Sequence, residues 1–167
     1  MKNVLLTGAT GYIGSNIART LLCEGYEVHI IARPFSGFDL LADIKNNVKI
    51  HIYNGEPEKL NDIFKEIHPD ILIHLASIYV AEHQAKDIGS LVNSNILFGT
   101  EVLNAAISCG VNYFINTGSY WQNYNGDAYN PVNLYAATKQ AFECIMKYYR
   151  EVSKLRSVTI KLVDTYG

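Results

Sequence analysis

The most constraining feature of this chain is a glycine-rich turn set between a short apolar run and a helical pattern. The run Asn3–Thr7 (NVLLT) leads into Gly8-x-x-Gly11-x-x-Gly14, and a helix then extends from Gly14 to about Leu22 before Gly25 stops it. Glycine at the first position permits a tight turn. At the second it lets backbone approach a bound group, and at the third it lets the helix pack closely on the strand. The helix start offers unpaired N–H groups and the positive end of its dipole, a setting that favours phosphate. Glycine triplets also arise by chance in loops, but a strand before and a helix after supply the context a phosphate cradle needs. Gly8, Thr10, Gly11, Tyr12, Ile13 and Gly14 are therefore the first candidates for holding a dinucleotide.

Downstream, apolar runs alternate with helical patterns. The runs cover 27–32, 48–53, 70–76, 112–117 and 157–163, and most are β-branched and near-continuously apolar, as strands covered on both faces should be. Between them, 58–67 places Leu60, Ile63, Phe64 and Ile67 on one helical face, with Pro57 near its start and His68-Pro69 at its end. Further helices are predicted over 91–108, with Gly110 as the stop, and over 134–153. Six strands joined by crossovers predict an α/β fold, a doubly wound parallel sheet (Rossmann fold) of order 3-2-1-4-5-6, as one domain over 1–167.

With 167 residues, 49% of them hydrophobic, the chain can bury a sizeable core. A net charge of −2 with no block of like charges gives no electrostatic reason to expect nucleic acid or an anionic membrane as partner. No apolar stretch approaches the ~20 residues of a membrane span, and the N-terminal run is too short for a signal peptide, so a cytoplasmic location is expected. Cys23, Cys109 and Cys144 form no C-x-x-C and are predicted as small buried hydrophobes in a reducing compartment. The five histidines show no HExxH and no paired Cys/His spacing, so no metal site is expected.

The end of strand two bears on the cofactor. Folds that prefer NAD place an acid there to accept hydrogen bonds from the ribose hydroxyls. Here that position is Ala32, Arg33 follows, and Asp39 lies too far into the next loop to substitute. A guanidinium would grip a 2′-phosphate with paired charge-assisted bonds where a carboxylate would repel it, so NADP(H) is favoured over NAD(H). A solvated loop arginine ahead of Pro34 is the competing reading.

Tyr135-Ala-Ala-Thr-Lys139 starts the last predicted helix, so phenol and ammonium share one face. A tyrosine with a pKa near ~10 is a poor base at neutral pH, and a nearby cation would lower that value by stabilising the phenolate. With twelve tyrosines a chance Tyr-x-x-x-Lys is unremarkable; its place before the sixth strand, downstream of a phosphate loop, singles this one out.

The T-G-x-x-G-x-x-G loop and this Tyr-x-x-x-Lys pair together resemble the extended short-chain dehydrogenase/reductases, the NAD-dependent epimerase/dehydratase family that acts on nucleotide sugars. The likeness runs to the terminal LVDTYG, similar to the family's R-x-x-N-V-Y-G-P without its arginine, asparagine and final proline. It implies an NAD(P)-dependent oxidoreductase in which Tyr135 shuttles a proton, Lys139 supports it and holds the nicotinamide ribose, and Ser119, just past strand five in FINTGS, polarises the substrate carbonyl. Ser119 as a turn-forming residue beside Gly118 is the plain alternative. Glu56 stands where the family carries Gly-Asp near the adenine amino group. Leu75, Ala76 and Ser77 match the H-x-A-x segment beside the cofactor, or are simply a strand end. Asn95 matches a helix asparagine and is read as packing or support.

The resemblance further implies a homodimer through the helices over 91–108 and 134–153, with Phe142, Met146 and Tyr149 facing either the partner or the sheet. It also implies a nucleotide-sugar lobe that this chain lacks, as a fragment or the ordered part of a longer protein. Two features depart from the family: YWQNYNGDAYNPVNL replaces the usual Val-Tyr-Gly loop, and Leu134 replaces a proline before the tyrosine. Tyr120, Trp121 and Tyr124 either line a sugar site or cap the core. Sugar dehydratases carry Asp-Glu where Tyr120-Trp121 stand, which disfavours elimination; epimerases keep a tightly bound NAD, which sits poorly with Ala32-Arg33. An NADPH-dependent 4-keto-sugar reductase fits both facts, and the short loop loosely resembles CDP-3,6-dideoxyhexose (abequose or paratose) synthases. The alternatives are an NAD-dependent epimerase or dehydratase and, without catalysis, a dinucleotide sensor.

Overall fold

The computed structural model describes residues 2–165. Strand β1 (Asn3–Thr7) sits at the centre of the sheet, paired in parallel with β2 (Glu27–Ala32) on one edge and β4 (Ile71–His74) on the other. A strand paired on both edges and covered on both faces has no place for charge, and its Val4, Leu5 and Leu6 are fully buried. With β3 (Lys49–Ile52), β5 (Tyr113–Ser119) and β6 (Arg156–Leu162) they form a parallel sheet of order β3-β2-β1-β4-β5-β6, the predicted doubly wound arrangement.

Strand alternation sorts the core into two clusters. Leu5, Leu72 and Phe114 face a layer that includes Phe64, Val102 and Phe142, while Val4, Leu6, Ile30 and Ile73 pack with Ala18 and Leu41 on the other side. The helices supplying these layers are α1 (Tyr12–Cys23), α2 (Pro57–Ile67), α4 (Phe98–Ser108) and α5 (Leu134–Val152), and the short α3 (Ile88–Val92) precedes α4. Helix α2 buries Leu60, Ile63, Phe64 and Ile67 as its periodicity predicts, and His68, in the left-handed region at φ 48, ends it before Pro69.

The helix predicted over 91–108 differs. It begins at Ile88 and is interrupted by a π-helical segment, Asn93–Leu97, between α3 and α4. The extra residue in that turn brings Asn95 inward, where it is 2% exposed. Its Nδ2 donates to the Ile78 carbonyl (2.9 Å) and Thr138 Oγ1 (3.0 Å), and its Oδ1 accepts from the Ile78 N–H (2.7 Å). Asn95 thus ties the segment after β4 to α5, the supporting role read for it.

Two further expectations are revised and one open alternative is settled. Strand β5 runs two residues beyond its predicted end, so Gly118 and Ser119 are still in register with Lys161 and Leu162 of β6, and Ser119 closes the strand rather than following it. The cysteines are free but not uniformly buried: Cys23 and Cys144 lie on outer helix surfaces and are exposed, and Cys109 is half-buried. Phe142 and Met146 face the sheet, because α5 turns that stripe onto Phe114 and its neighbours. No helix among the described residues is long and apolar enough to cross a membrane.

Candidate active site

The carboxyl ends of β1, β4, β5 and β6 open on a cleft of about 510 Å³ at the point where strand order reverses on either side of β1. Gly8, Gly11, Tyr12, Ile13 and Gly14 form one wall, and Ser119, Tyr135 and Lys139 the opposite one, with Leu75 and Ser77 between them.

The three glycines do different work. A Cβ on Gly14 would lie 2.2 Å from the Gly8 carbonyl oxygen, so the close approach of α1 to the turn depends on its absence. Gly8, at φ +73, would drive a Cβ to 2.6 Å from the Ala76 backbone nitrogen. Gly11 has nothing nearer than 3.5 Å and is exposed, so here glycine leaves bare backbone facing the cleft. Helix α1 starts immediately after it with no acidic residue in its first turn to compete for the dipole. A dinucleotide pyrophosphate fits this cradle on shape and charge.

On the other wall, Asn133 caps α5. Its Oδ1 accepts from the Ala136 N–H (2.9 Å), and its Nδ2 donates to the Ala81 carbonyl (3.1 Å). The cap sets Tyr135 and Lys139 at the start of the helix, on the face towards the cleft. Lys139 is 3% exposed and its Nζ donates to the Thr117 carbonyl of β5 at 3.0 Å. Burial pushes its ammonium down to about 8 against the opposing field of Glu143, which leaves it charged at neutral pH.

Tyr135 departs from expectation. Burial raises the pKa of its phenol, a hydrogen bond with Ser77 pulls it back, and nearby Tyr79 raises it. Lys139 is not among the groups that shift the phenol; one of its ammonium hydrogens goes to the Thr117 carbonyl. Ser119 Oγ accepts from the Trp121 N–H (3.2 Å), which leaves the hydroxyl proton available to donate into the cleft.

The remaining predicted residues divide. Thr10, Arg33, Glu56 and Ala76 do not line this cleft. Arg33 is exposed at the end of β2, with its backbone N–H donating to Ser36 Oγ (3.0 Å). Glu56 is exposed ahead of α2, with its N–H donating to Asn54 Oδ1 (3.3 Å). Both lie past the carboxyl ends of β2 and β3, the rim that the phosphate loop also occupies. The Ala76 N–H donates to Thr7 Oγ1 (3.3 Å), joining β4 to β1 beneath the turn. Of the three loop aromatics only Trp121 lines the cleft; Tyr120 and Tyr124 are 59% and 53% exposed and cap no core. Leu162 to Thr165 of the terminal motif line the cleft, and Tyr166 and Gly167 lie outside the described residues.

Two further residues of this region lie outside the site candidates that the sequence singles out. Tyr79 sets its ring edge-on to Tyr135, centroids 5.0 Å apart at 86°, and contacts Trp121 at 5.9 Å; nothing in its spacing distinguishes it from any loop aromatic. Gln122 is completely buried and its Oε1 accepts from the Ser119 N–H (2.7 Å). Ser119-x-x-Gln122 is a capping-box pattern, so this one was legible in principle.

The sequence profile of the NAD dependent epimerase/dehydratase family matches residues 4–167. The chain belongs to that family. Among relatives of this family member, the CDP-abequose synthase of Yersinia pseudotuberculosis is 28% identical over 165 residues, covering 98% of this chain and 56% of that protein. A UDP-glucose 4-epimerase of Rhizobium meliloti is 23% identical over 99% of this chain and 52% of its own length. The UDP-glucose 4-epimerase of Brucella ovis, solved in complex with NAD, superposes with a TM-score of 0.84 at 21% identity, over 96% of this chain and 51% of that one. The family member described here therefore spans about half the length of the relatives it matches.

Proposed function

We propose that this chain is the dinucleotide-binding domain of a short-chain dehydrogenase/reductase that reduces a 4-keto group on a nucleotide-activated sugar with NADPH. The observation that carries this reading is the single cleft in which the glycine cradle faces Ser119, Tyr135 and Lys139. Bound nicotinamide dinucleotide would supply the hydride. Gly8, Gly11 and Gly14 hold its phosphates by backbone, and Arg33 at the outer end of β2 meets a 2′-phosphate. Tyr135 delivers the proton to the substrate oxygen, and the Ser119 hydroxyl donates to that same oxygen as charge develops. Lys139 keeps positive charge behind the tyrosine and reaches the ribose. Glu56, Thr10, Tyr12, Ile13, Leu75, Ala76 and Ser77 complete the proposed cofactor contacts.

The Tyr120-Trp121 pair, standing where sugar dehydratases of the family carry Asp-Glu, supports reduction over elimination. The second reading, an NAD-dependent epimerase, draws support from the UDP-glucose 4-epimerase relatives and the NAD in the Brucella ovis structure. We also propose a homodimer. Support comes from apolar side chains left exposed on the helices predicted to pair: Val92 beside the π-helical turn, Leu97, and Tyr148 and Val152 on α5. Free cysteines agree with a cytoplasmic setting.

The deciding experiment is calorimetric titration of the chain with NADPH and with NADH. NADPH binds more tightly, and Arg33→Ala lowers NADPH affinity by about tenfold to a hundredfold while leaving NADH affinity in place. Tighter NADH binding transfers the case to the epimerase reading, and binding of neither cofactor overturns both.

A further inference from the structure

A buried polar cluster lies behind the cleft wall, and the reaction as drawn above makes no use of it. Gln122 has no solvent exposure, yet its amide makes three side-chain hydrogen bonds. Its Oε1 accepts from the Ser119 N–H (2.7 Å), and its Nε2 donates to Glu143 Oε1 (2.8 Å) and Gln140 Oε1 (3.2 Å). Glu143 follows Lys139 by one helical turn, so Tyr135, Lys139 and Glu143 form one stripe of α5 at i, i+4 and i+8. The other carboxylate oxygen of Glu143 is 4.0 Å from Lys161 Nζ of β6.

The cluster is built without slack. A Cβ on Gly118 would meet Gln122 Oε1 at 2.6 Å, Thr159 Cγ2 at 2.8 Å and Glu143 Oε1 at 3.0 Å, so the backbone of β5 presses directly against the amide and the carboxylate. An apolar side chain of the same length would fill this space at no desolvation cost, whereas a buried amide must have its partners supplied. The partners it has are the backbone of one proposed catalytic group and the neighbour of another.

We propose that Gln122 and Glu143 are positioning residues of the active site: Gln122 fixes the backbone of Ser119 and orients the Glu143 carboxylate, and Glu143 steadies the charged Lys139 from the following turn. This rests on the reading of Ser119 and Lys139 given above. The groups around Lys139 are Tyr135 and Glu143 on its own helix, the Thr117 carbonyl on β5 and the neutral, fully buried His74 on β4, while Lys161 of β6 acts on Glu143 from its far side. Glu143 is the carboxylate that opposes the desolvation of Lys139, so neutralising it leaves burial unopposed.

The test uses the chain with 13C-labelled lysine, following the Lys139 Cε signal by NMR through a pH titration, with Lys139→Arg to assign it. The wild-type midpoint falls near 8. Glu143→Gln lowers it by about half a pH unit or more, and Glu143→Asp restores most of the difference. In Gln122→Met, amide hydrogen exchange at Ser119 speeds up by about tenfold or more while that of Leu5 in the central strand is unchanged. An unmoved Lys139 midpoint in Glu143→Gln overturns the proposal, as does unaltered Ser119 exchange in Gln122→Met. Should Gln122→Met not fold, the Glu143→Gln arm decides, since that side chain is partly solvent-exposed. Both readouts are taken without cofactor, so failure to bind NADPH sinks the functional reading without touching this one.

Discussion

At Gly14 the phosphate loop and the helix behind it meet with no room for a methyl group. A Cβ there would lie 2.2 Å from the Gly8 oxygen and 2.7 Å from Ala9 Cα, both backbone atoms that cannot move without opening the turn. Gly14→Ala is therefore expected to destabilise the chain by about 2 kcal/mol or more and to abolish NADPH binding. Gly110 is the control. It also has a positive φ, +73, but nothing within 4 Å of the added carbon. Gly110→Ala should cost only about 1–2 kcal/mol in conformational strain, with cofactor affinity retained. Urea unfolding and calorimetric titration of both variants check this. Gly14 was legible because its constraint is local, a turn packing on the helix that follows it. Tyr79 was not, since its contact with Tyr135 spans residues that only the fold brings together.

Helix α5 shows how much of an element can be read from its own residues. Asn133 immediately precedes the apolar pattern, the Asn133 carboxamide caps the first turn, and the predicted start at Leu134 is the observed one. Because Tyr135 is the second residue of that helix, the cap also stabilises the site. Asn133→Ala is expected to cost about 1 kcal/mol by urea unfolding. The same change should also speed amide exchange at Ala136 without altering exchange in β1, and equal loosening of both segments would argue against a local cap. The helix over 91–108 was less legible, for a clear reason. Its π-helical turn exists to aim Asn95 at Ile78 and Thr138, partners 17 and 43 residues away, and no periodicity within the segment encodes them. Strand β5 likewise extends to Ser119 because β6 continues alongside it to Leu162.

For the whole molecule, buried titratable groups set how stability varies with pH. His74 is fully buried and held down to about 3 by desolvation, with the Lys139 charge adding to it. Its folded pKa lies below the unfolded value, so between the two the unfolded chain binds a proton that the native chain refuses, and stability falls as pH drops. His29 and His51, stacked between β2 and β3, are lowered in the same direction by burial first. From pH 7 to 5.5 the loss from His74 alone should be about 1.3 kcal/mol. Lys139 carries the same sign higher up: with a folded value near 8 its burial cost is relieved as pH rises past 8, and stability climbs towards the unfolded lysine value. The raised phenols of Tyr53 and Tyr135 reverse this, because the unfolded chain ionises first once the pH passes the ordinary tyrosine value. Urea midpoints measured from pH 5 to 10 should rise, level off near neutrality, and rise again above 8. His74→Gln should flatten the acid limb, and an unchanged limb in that variant would remove His74 as its source.

The six strand segments, the glycine turn, the Tyr135–Lys139 stripe and the buried face of α2 follow from spacing within single segments, because period and turn chemistry act over a few residues. The order of the strands in the sheet follows from the doubly wound fold that alternating strands and helices predict. Tertiary structure alone decided which groups tune that stripe. Burial, Ser77 and Tyr79 set the Tyr135 phenol, and the Thr117 carbonyl and Glu143 set the Lys139 ammonium. Those influences depend on desolvation and on distances across separate strands and helices, quantities that come into being only when the sheet closes the cleft.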